Sequence, residues 1–228
     1  KLVLINEVKG YFMKIDIKLD RDFTYEFENH EAKLEKYEWD NVWFEHAKEP
    51  EHLRVLYIGD SISCGTRHQA TSATDGEIYF DGIGTSKAID NPYFKDSIHL
   101  YAAQQERRNA VIFNNGLHGF HLSDDVEYAD YYEDMVKFLL EEFKGTPIAL
   151  VLSTTVRKEE TAKRVVARNN AVIQIAAKYD LPIIDIHTLS VARLGEIDAD
   201  GVHFGEAGYM PFAEVIVKRL KEIVPELK

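Results

Sequence analysis

Five short apolar runs, rich in β-branched residues, recur along the last three quarters of the chain. They are "LRVLYIG" (53–59), "GEIYFDGIG" (76–84), "NAVIFNNG" (109–116), "TPIALVLST" (146–154) and "LPIIDIH" (181–187). Runs of this length and composition suit strands buried on both faces of a parallel sheet. Between and after them lie longer segments with helical spacing: "NPYFKDSIHLYAAQQE", "LSDDVEYADYYEDMVKFLLEEFKG", "EETAKRVVARNNAVIQIAAKYD" and "GEAGYMPFAEVIVKRLKEIV". Ser123 is placed to cap the second of these, and Gly145 falls just past its end. Parallel neighbours need crossover connections, and helices supply them. The pattern predicts an α/β protein, a three-layer α/β/α sandwich of about five parallel strands. A length of 228 residues and a 45% hydrophobic composition suit one such domain with an attachment.

That attachment is residues 1–50, an N-terminal arm ahead of a main domain at 51–228. Ile15, Ile17 and Leu19 alternate with polar residues and predict a half-buried strand. The Glu- and aromatic-rich stretch after them has no clean helical stripe. It reads as an arm anchored by Tyr37, Trp39, Val42, Trp43 and Phe44, which either cover the core or wall a substrate cleft. Met13 reads as a natural start, with residues 1–12 an addition or an upstream remnant.

The chain carries 39 acidic and 27 basic side chains, a formal net charge of −12. That balance repels nucleic-acid backbones and anionic membrane surfaces, so neither is expected as a partner. The one cysteine, Cys64, rules out an intrachain disulfide. It fits a reducing, cytoplasmic setting, with a processed secreted form as the alternative. No apolar run approaches the ~20 residues that span a bilayer.

Open parallel sheets bind ligands beyond the carboxyl ends of their strands. The residues there are Asp60 and Ser61, Gly84 to Lys87, Asn114 to His118, Ser153 to Arg157, and the segment "DADGVHF" (198–204) before the last helix. A serine hydroxyl becomes a good nucleophile when a base takes its proton, and a carboxylate can orient that base. Asp200 and His203 would project from one loop toward Ser61, with Asp198 in reserve as the carboxylate. Asp60 reads as a turn former, and the bland reading of Ser61 is a helix N-cap. The elbow "GDSIS" lacks the second glycine of the G-x-S-x-G pattern.

"GDSIS" at the first strand end, "DGVHF" before the last helix and an Asn-rich strand end between them resemble the SGNH, or GDSL-type, hydrolase superfamily. The resemblance covers roughly residues 53–225. It implies a flavodoxin-like fold and a serine esterase or lipase. It further implies Ser61 as nucleophile with its own N–H aimed at the oxyanion, His203 as general base and Asp200 as its partner. The middle blocks depart from the family pattern. Where G-x-N-D is usual, this chain has "FNNGLHG", so Asn115 or Asn114 is the candidate oxyanion amide, Asn115 being preferred. In "DGIGTSKAIDNP" the second backbone donor is Gly84, Ser86 or Lys87.

Other features have quieter readings. Cys64 lacks a base of its own and reads as a packed thiol. His118 and His121 are too few for a metal site; His118 and Arg157 are taken as substrate contacts. "KRVVAR" reads as a solvated helix face. No G-x-G-x-x-G or Walker loop follows a strand, so no cofactor is expected. The expected activity is hydrolysis of a short acyl ester, acetyl on a carbohydrate or another small molecule. A lysophospholipase or thioesterase of the same fold, and a catalytically silent ligand-binding relative, are the alternatives.

Overall fold

The structure, a computed structural model, describes residues 33–35, 37–122 and 125–228, and the backbone of two short antiparallel strands, β1 (Glu7–Val8) and β2 (Tyr11–Phe12). The expected strand at Ile15–Leu19, the proposed start at Met13 and the cap at Ser123 lie outside the described residues.

The main sheet has six strands: β3 (Asp40–Trp43), β4 (Leu53–Gly59), β5 (Ile78–Thr85), β6 (Ala110–Phe113), β7 (Ile148–Val151) and β8 (Ile183–Ile184). Their spatial order is β3-β5-β4-β6-β7-β8. β4 to β8 are parallel, the five strands expected. Counted among themselves they follow the second-first-third-fourth-fifth order of flavodoxin-like folds, whose switch point lies between β4 and β6. The sixth strand, β3, comes from the arm and pairs antiparallel with β5 from Asp40↔Thr85 to Trp43↔Gly82. The arm thus joins the domain by extending its sheet. Two of its expected anchors, Tyr37 and Trp43, remain exposed.

β4 shows why the central strands read as unbroken apolar runs. Val55 and Tyr57 face one core; Leu56 and Ile58 face the other. The first core is closed by α1 (Ser61–Ser72) and α6 (Glu206–Ile223), with Phe212, Ile216 and Leu220 inside it. The second is closed by α2 (Phe94–Ala102), α3 (Asp125–Glu142) and the stripe Val172, Ile175, Ala176 of α4 (Glu159–Tyr179). A short α5 (His187–Ala192) follows β8.

The glycines of "DGIG" let α1 approach β5. A Cβ at Gly82 would lie 2.3 Å from Arg67 Nη1, and one at Gly84 would lie 2.2 Å from Cys64 Sγ. Arg67 uses the space to reach Asn41 of β3, bonding its carbonyl and its side-chain oxygen. Beneath, Arg54 and Asp81 form a fully buried ion pair at 2.9 Å. Asp81 also accepts from Gln105 and from the Glu45 N–H, and Arg54 donates to the carbonyls of His46 and Glu49.

Candidate active site

Ser61 is the first residue of α1, directly after β4. The helix is capped by Asp60, whose Oδ1 accepts from the Ile62 N–H at 2.9 Å. Ser61 is therefore not the cap, and its hydroxyl is left for other work. Asp60 is fully buried, and burial pushes its carboxyl up to about 6 against the lowering pull of the Ile62 N–H and of His203.

The loop before α6 carries the other two groups. It is folded back on itself by an Ile197↔Phe204 bridge and by the Asp198 N–H bonding to the His203 carbonyl. Gly201 takes φ +83 at its tip, a left-handed conformation that glycine adopts without penalty. Asp200 Oδ1 receives the N–H groups of Val202 and His203 at 2.8 and 2.9 Å. Its Oδ2 faces His203 Nδ1 at 3.0 Å, and His203 Nε2 faces Ser61 Oγ at 2.6 Å. Burial tends to raise the Asp200 carboxyl, but the two N–H groups and the imidazole together hold it below the usual range. A charged carboxylate only accepts, so Nδ1 carries the proton and Nε2 receives the serine hydroxyl. This chain of bonds can take a proton from Ser61 and stabilise the resulting imidazolium. Asp198 does not enter it; its backbone shapes the loop.

Of the six candidate oxyanion donors, four lie within the sheet or are already bonded inside the protein. Gly84 lies inside the sheet, in register with Gly59 on one side and Asn41 on the other. β5 continues through it instead of turning. The Ser86 N–H bonds to the Trp39 carbonyl, and the Lys87 N–H to Thr85 Oγ1. Asn114 gives its amide to the Val151 carbonyl and Ser153 Oγ, tying β6 to β7. Two groups remain. The Ser61 N–H stands at the first helical position, where no intrahelical acceptor exists. Asn115 Nδ2 spends one hydrogen on the Lys87 carbonyl at 2.9 Å and has a second.

Arg157 braces the loop that carries Asp200 and His203. Its N–H bonds to the Gly201 carbonyl and its guanidinium to the Ile197 carbonyl, both on the catalytic loop. His121 pairs with Asp90 at 3.0 Å. Cys64 packs against Gly84, and burial pushes its thiol up despite Arg67 nearby. Among the described residues no group of three or more His, Cys, Asp or Glu side chains is disposed to hold a metal ion. No helix among them is long and apolar enough to cross a membrane.

The "KRVVAR" stretch is solvated only in part: Lys163 and Val166 are exposed, while Val165 and Arg168 are buried. Arg168 is 1% exposed and donates to the carbonyls of Gly116, His118 and Gly119, between the rings of Phe120 and Tyr128 at 4.4 Å each. Arg164 holds the carbonyls of Phe120 and Leu122. Together they fix the loop that bears Asn115 and His118. The signal was present: Val165, Arg168, Asn169 and Val172 share one helical stripe.

This topology, with Ser61 at the switch point and the Asp–His loop before the last helix, is the fold of the SGNH hydrolases. Three solved structures illustrate the likeness. A member of the lipolytic G-D-S-L family from Veillonella parvula superposes with a TM-score of 0.59 at 16% identity, covering 74% of this chain and 98% of that one. The catalytic domain of peptidoglycan O-acetyltransferase A from Streptococcus pneumoniae gives 0.57 at 20% identity, covering 75% and 94%. The acetyl xylan esterase AlAXEase gives 0.58 at 16% identity, covering 73% and 98%. At these identities the likeness establishes the fold. No family model matches the chain, and no curated protein matches it.

Proposed function

We propose that the protein is a serine ester hydrolase that works through an acyl-enzyme. The observation that carries this reading is the 2.6 Å contact of Ser61 Oγ with His203 Nε2, backed by Asp200 at 3.0 Å from Nδ1. Ser61 Oγ attacks the ester carbonyl as Nε2 takes its proton. The negative charge on the carbonyl oxygen is met by the Ser61 N–H and the Asn115 amide. Collapse of the tetrahedral intermediate expels the alcohol, which leaves with the proton from Nε2. A water then gives a proton to the same nitrogen, attacks the acyl carbonyl and releases the acid and Ser61.

The acyl group is proposed to be short, acetyl on a carbohydrate hydroxyl. Two of the structural neighbours carry acetyl chemistry on a polysaccharide in their names, which supports this choice. The test is turnover of p-nitrophenyl acetate by the wild type and by Ser61→Ala. Loss of essentially all turnover in the variant is expected; equal rates would end the mechanism. A series of p-nitrophenyl esters of growing chain length tests the acyl part, and a preference for long chains would favour the lysophospholipase or thioesterase reading instead.

A further inference from the structure

His118 sits on the β6 loop, across the switch point from Ser61, and is close enough to His203 for that residue's charge to depress it. Its side chain is 6% exposed, yet Nδ1 is sealed from solvent without a hydrogen-bond partner. The group facing Nδ1 is Glu35 Oε1, 3.8 Å away, on a side chain 1% exposed. Glu35 is itself fixed there, because Oε1 accepts the Gly119 N–H at 2.8 Å. Trp39 packs edge-on against the imidazole, with ring centroids 6.2 Å apart. A buried imidazole beside the site is thus steered by a buried carboxylate and by an aromatic ring, all from segments outside the Ser–His–Asp chain.

Burial, with Arg168 and His203 adding to it, lowers His118 to about 3 and keeps it neutral. A neutral imidazole carries one proton, and Glu35 in its ionised form only accepts, so that at 3.8 Å it draws the proton to Nδ1. Nε2 then presents a lone pair. Among the described residues it has no hydrogen-bond partner, and it is not sealed as Nδ1 is. Such contacts in an unliganded site are commonly long and tighten when substrate arrives.

We propose that His118 Nε2, held as an acceptor by Glu35, receives a hydroxyl of the alcohol half of the substrate and so selects esters of polyols over esters of simple alcohols. This inference rests on the esterase reading and specifies its alcohol subsite. A buried acceptor built for a hydroxyl rejects an analogue that lacks it, because the lone pair is left unpaired.

The experiment compares 1-O-acetylglycerol with propyl acetate, which share the acyl group and the carbon chain and differ in hydroxyls. The ratio of kcat/KM for the first over the second is the readout. It is expected to fall about tenfold in His118→Phe, the loss of one hydrogen bond to a buried acceptor. Glu35→Gln keeps an oxygen for the Gly119 N–H but can donate to Nδ1, which moves the ring proton to Nε2 and also lowers the ratio. Nitrogen NMR of the wild-type histidines reads the tautomer directly, and Nδ1–H is expected for His118. An unchanged ratio in folded variants, or an Nε2–H tautomer in the wild type, overturns the proposal. Where His118→Phe does not fold, Glu35→Gln and the tautomer decide. Ser61-dependent turnover of p-nitrophenyl acetate is measured alongside, so failure of the subsite and failure of the esterase reading are told apart.

Discussion

The two ends of the parallel sheet treat buried polarity in opposite ways. Toward the amino end, Arg54 and Asp81 are joined to each other, to Gln105 and to three backbone groups. Neither side chain keeps a sealed atom without a partner. At the carboxyl end Asp60 Oδ2, Asn115 Oδ1, His118 Nδ1 and Thr154 Oγ1 are all sealed and unpartnered. Each such atom costs about 1–3 kcal/mol. The deficit falls beside the Ser61–His203–Asp200 chain, as expected if the substrate of the proposed esterase meets these groups there. The first region is built for stability and the second for chemistry.

Substitutions at the two ends should therefore fail differently. Asp200→Asn is expected to lower kcat by about 10,000-fold, since the imidazole loses its orienting acceptor, while the melting temperature barely moves. Steady-state kinetics beside a thermal scan would show it, and a large loss of stability with little loss of rate would reverse the comparison. Asp81→Ala is the mirror image. Stranding Arg54 in the core should cost about 3–5 kcal/mol in urea unfolding, with turnover per folded molecule preserved.

Asn115→Ala should lower kcat by roughly 100- to 1,000-fold, the cost of one oxyanion donor, with KM for p-nitrophenyl acetate little changed. A loss confined to KM would remove Asn115 from the transition state. The smallest effect is at Asp60. Its folded-state carboxyl titrates at about 6, above the ordinary aspartate range. The native state then holds the extra proton, so this residue's contribution to stability is greatest in acid and is lost as pH rises toward 6. Denaturation of wild type and Asp60→Asn between pH 4 and 7 should diverge by at most ~3 kcal/mol in the variant's favour at the upper end. Parallel curves would show that the carboxyl titrates normally.

Much of this was legible in the residues. The β-branched runs located the five parallel strands, and the paired "GDSIS" and "DGVHF" blocks located the three side chains that the fold brings together. What stayed hidden has a physical pattern. The buried positions of α1, at Ile62, Ser63, Thr66, Arg67 and Ala70, have helical spacing but are mostly small or polar; Ser63 packs on Gly59 of β4 and Arg67 on Gly82 of β5. A search for apolar stripes passes over them. β3 escaped for a related reason: as an edge strand it buries little, and Val42 alone is partly covered. The second backbone donor was not legible because backbone N–H groups have no signature of their own, and only pairing partners such as Trp39 reveal that the Ser86 N–H is already spent. Arg168 was hidden by its charge, which normally signals water and here is held by carbonyls and aromatic faces.

The way β3 and its flanks are stitched in also bears on where this protein can be cut. Trp39 exchanges hydrogen bonds with Ser86, and Asp40 receives Lys87 Nζ at 2.7 Å. A shortened version beginning at the first parallel strand would look like a whole domain on paper. It would strip the flank of β5, unpair the Ser86 amide and remove Glu35 and Trp39 together. Anyone trimming the leading residues as a dispensable tail would be removing the groups that hold Ser86, Lys87 and His118 in place.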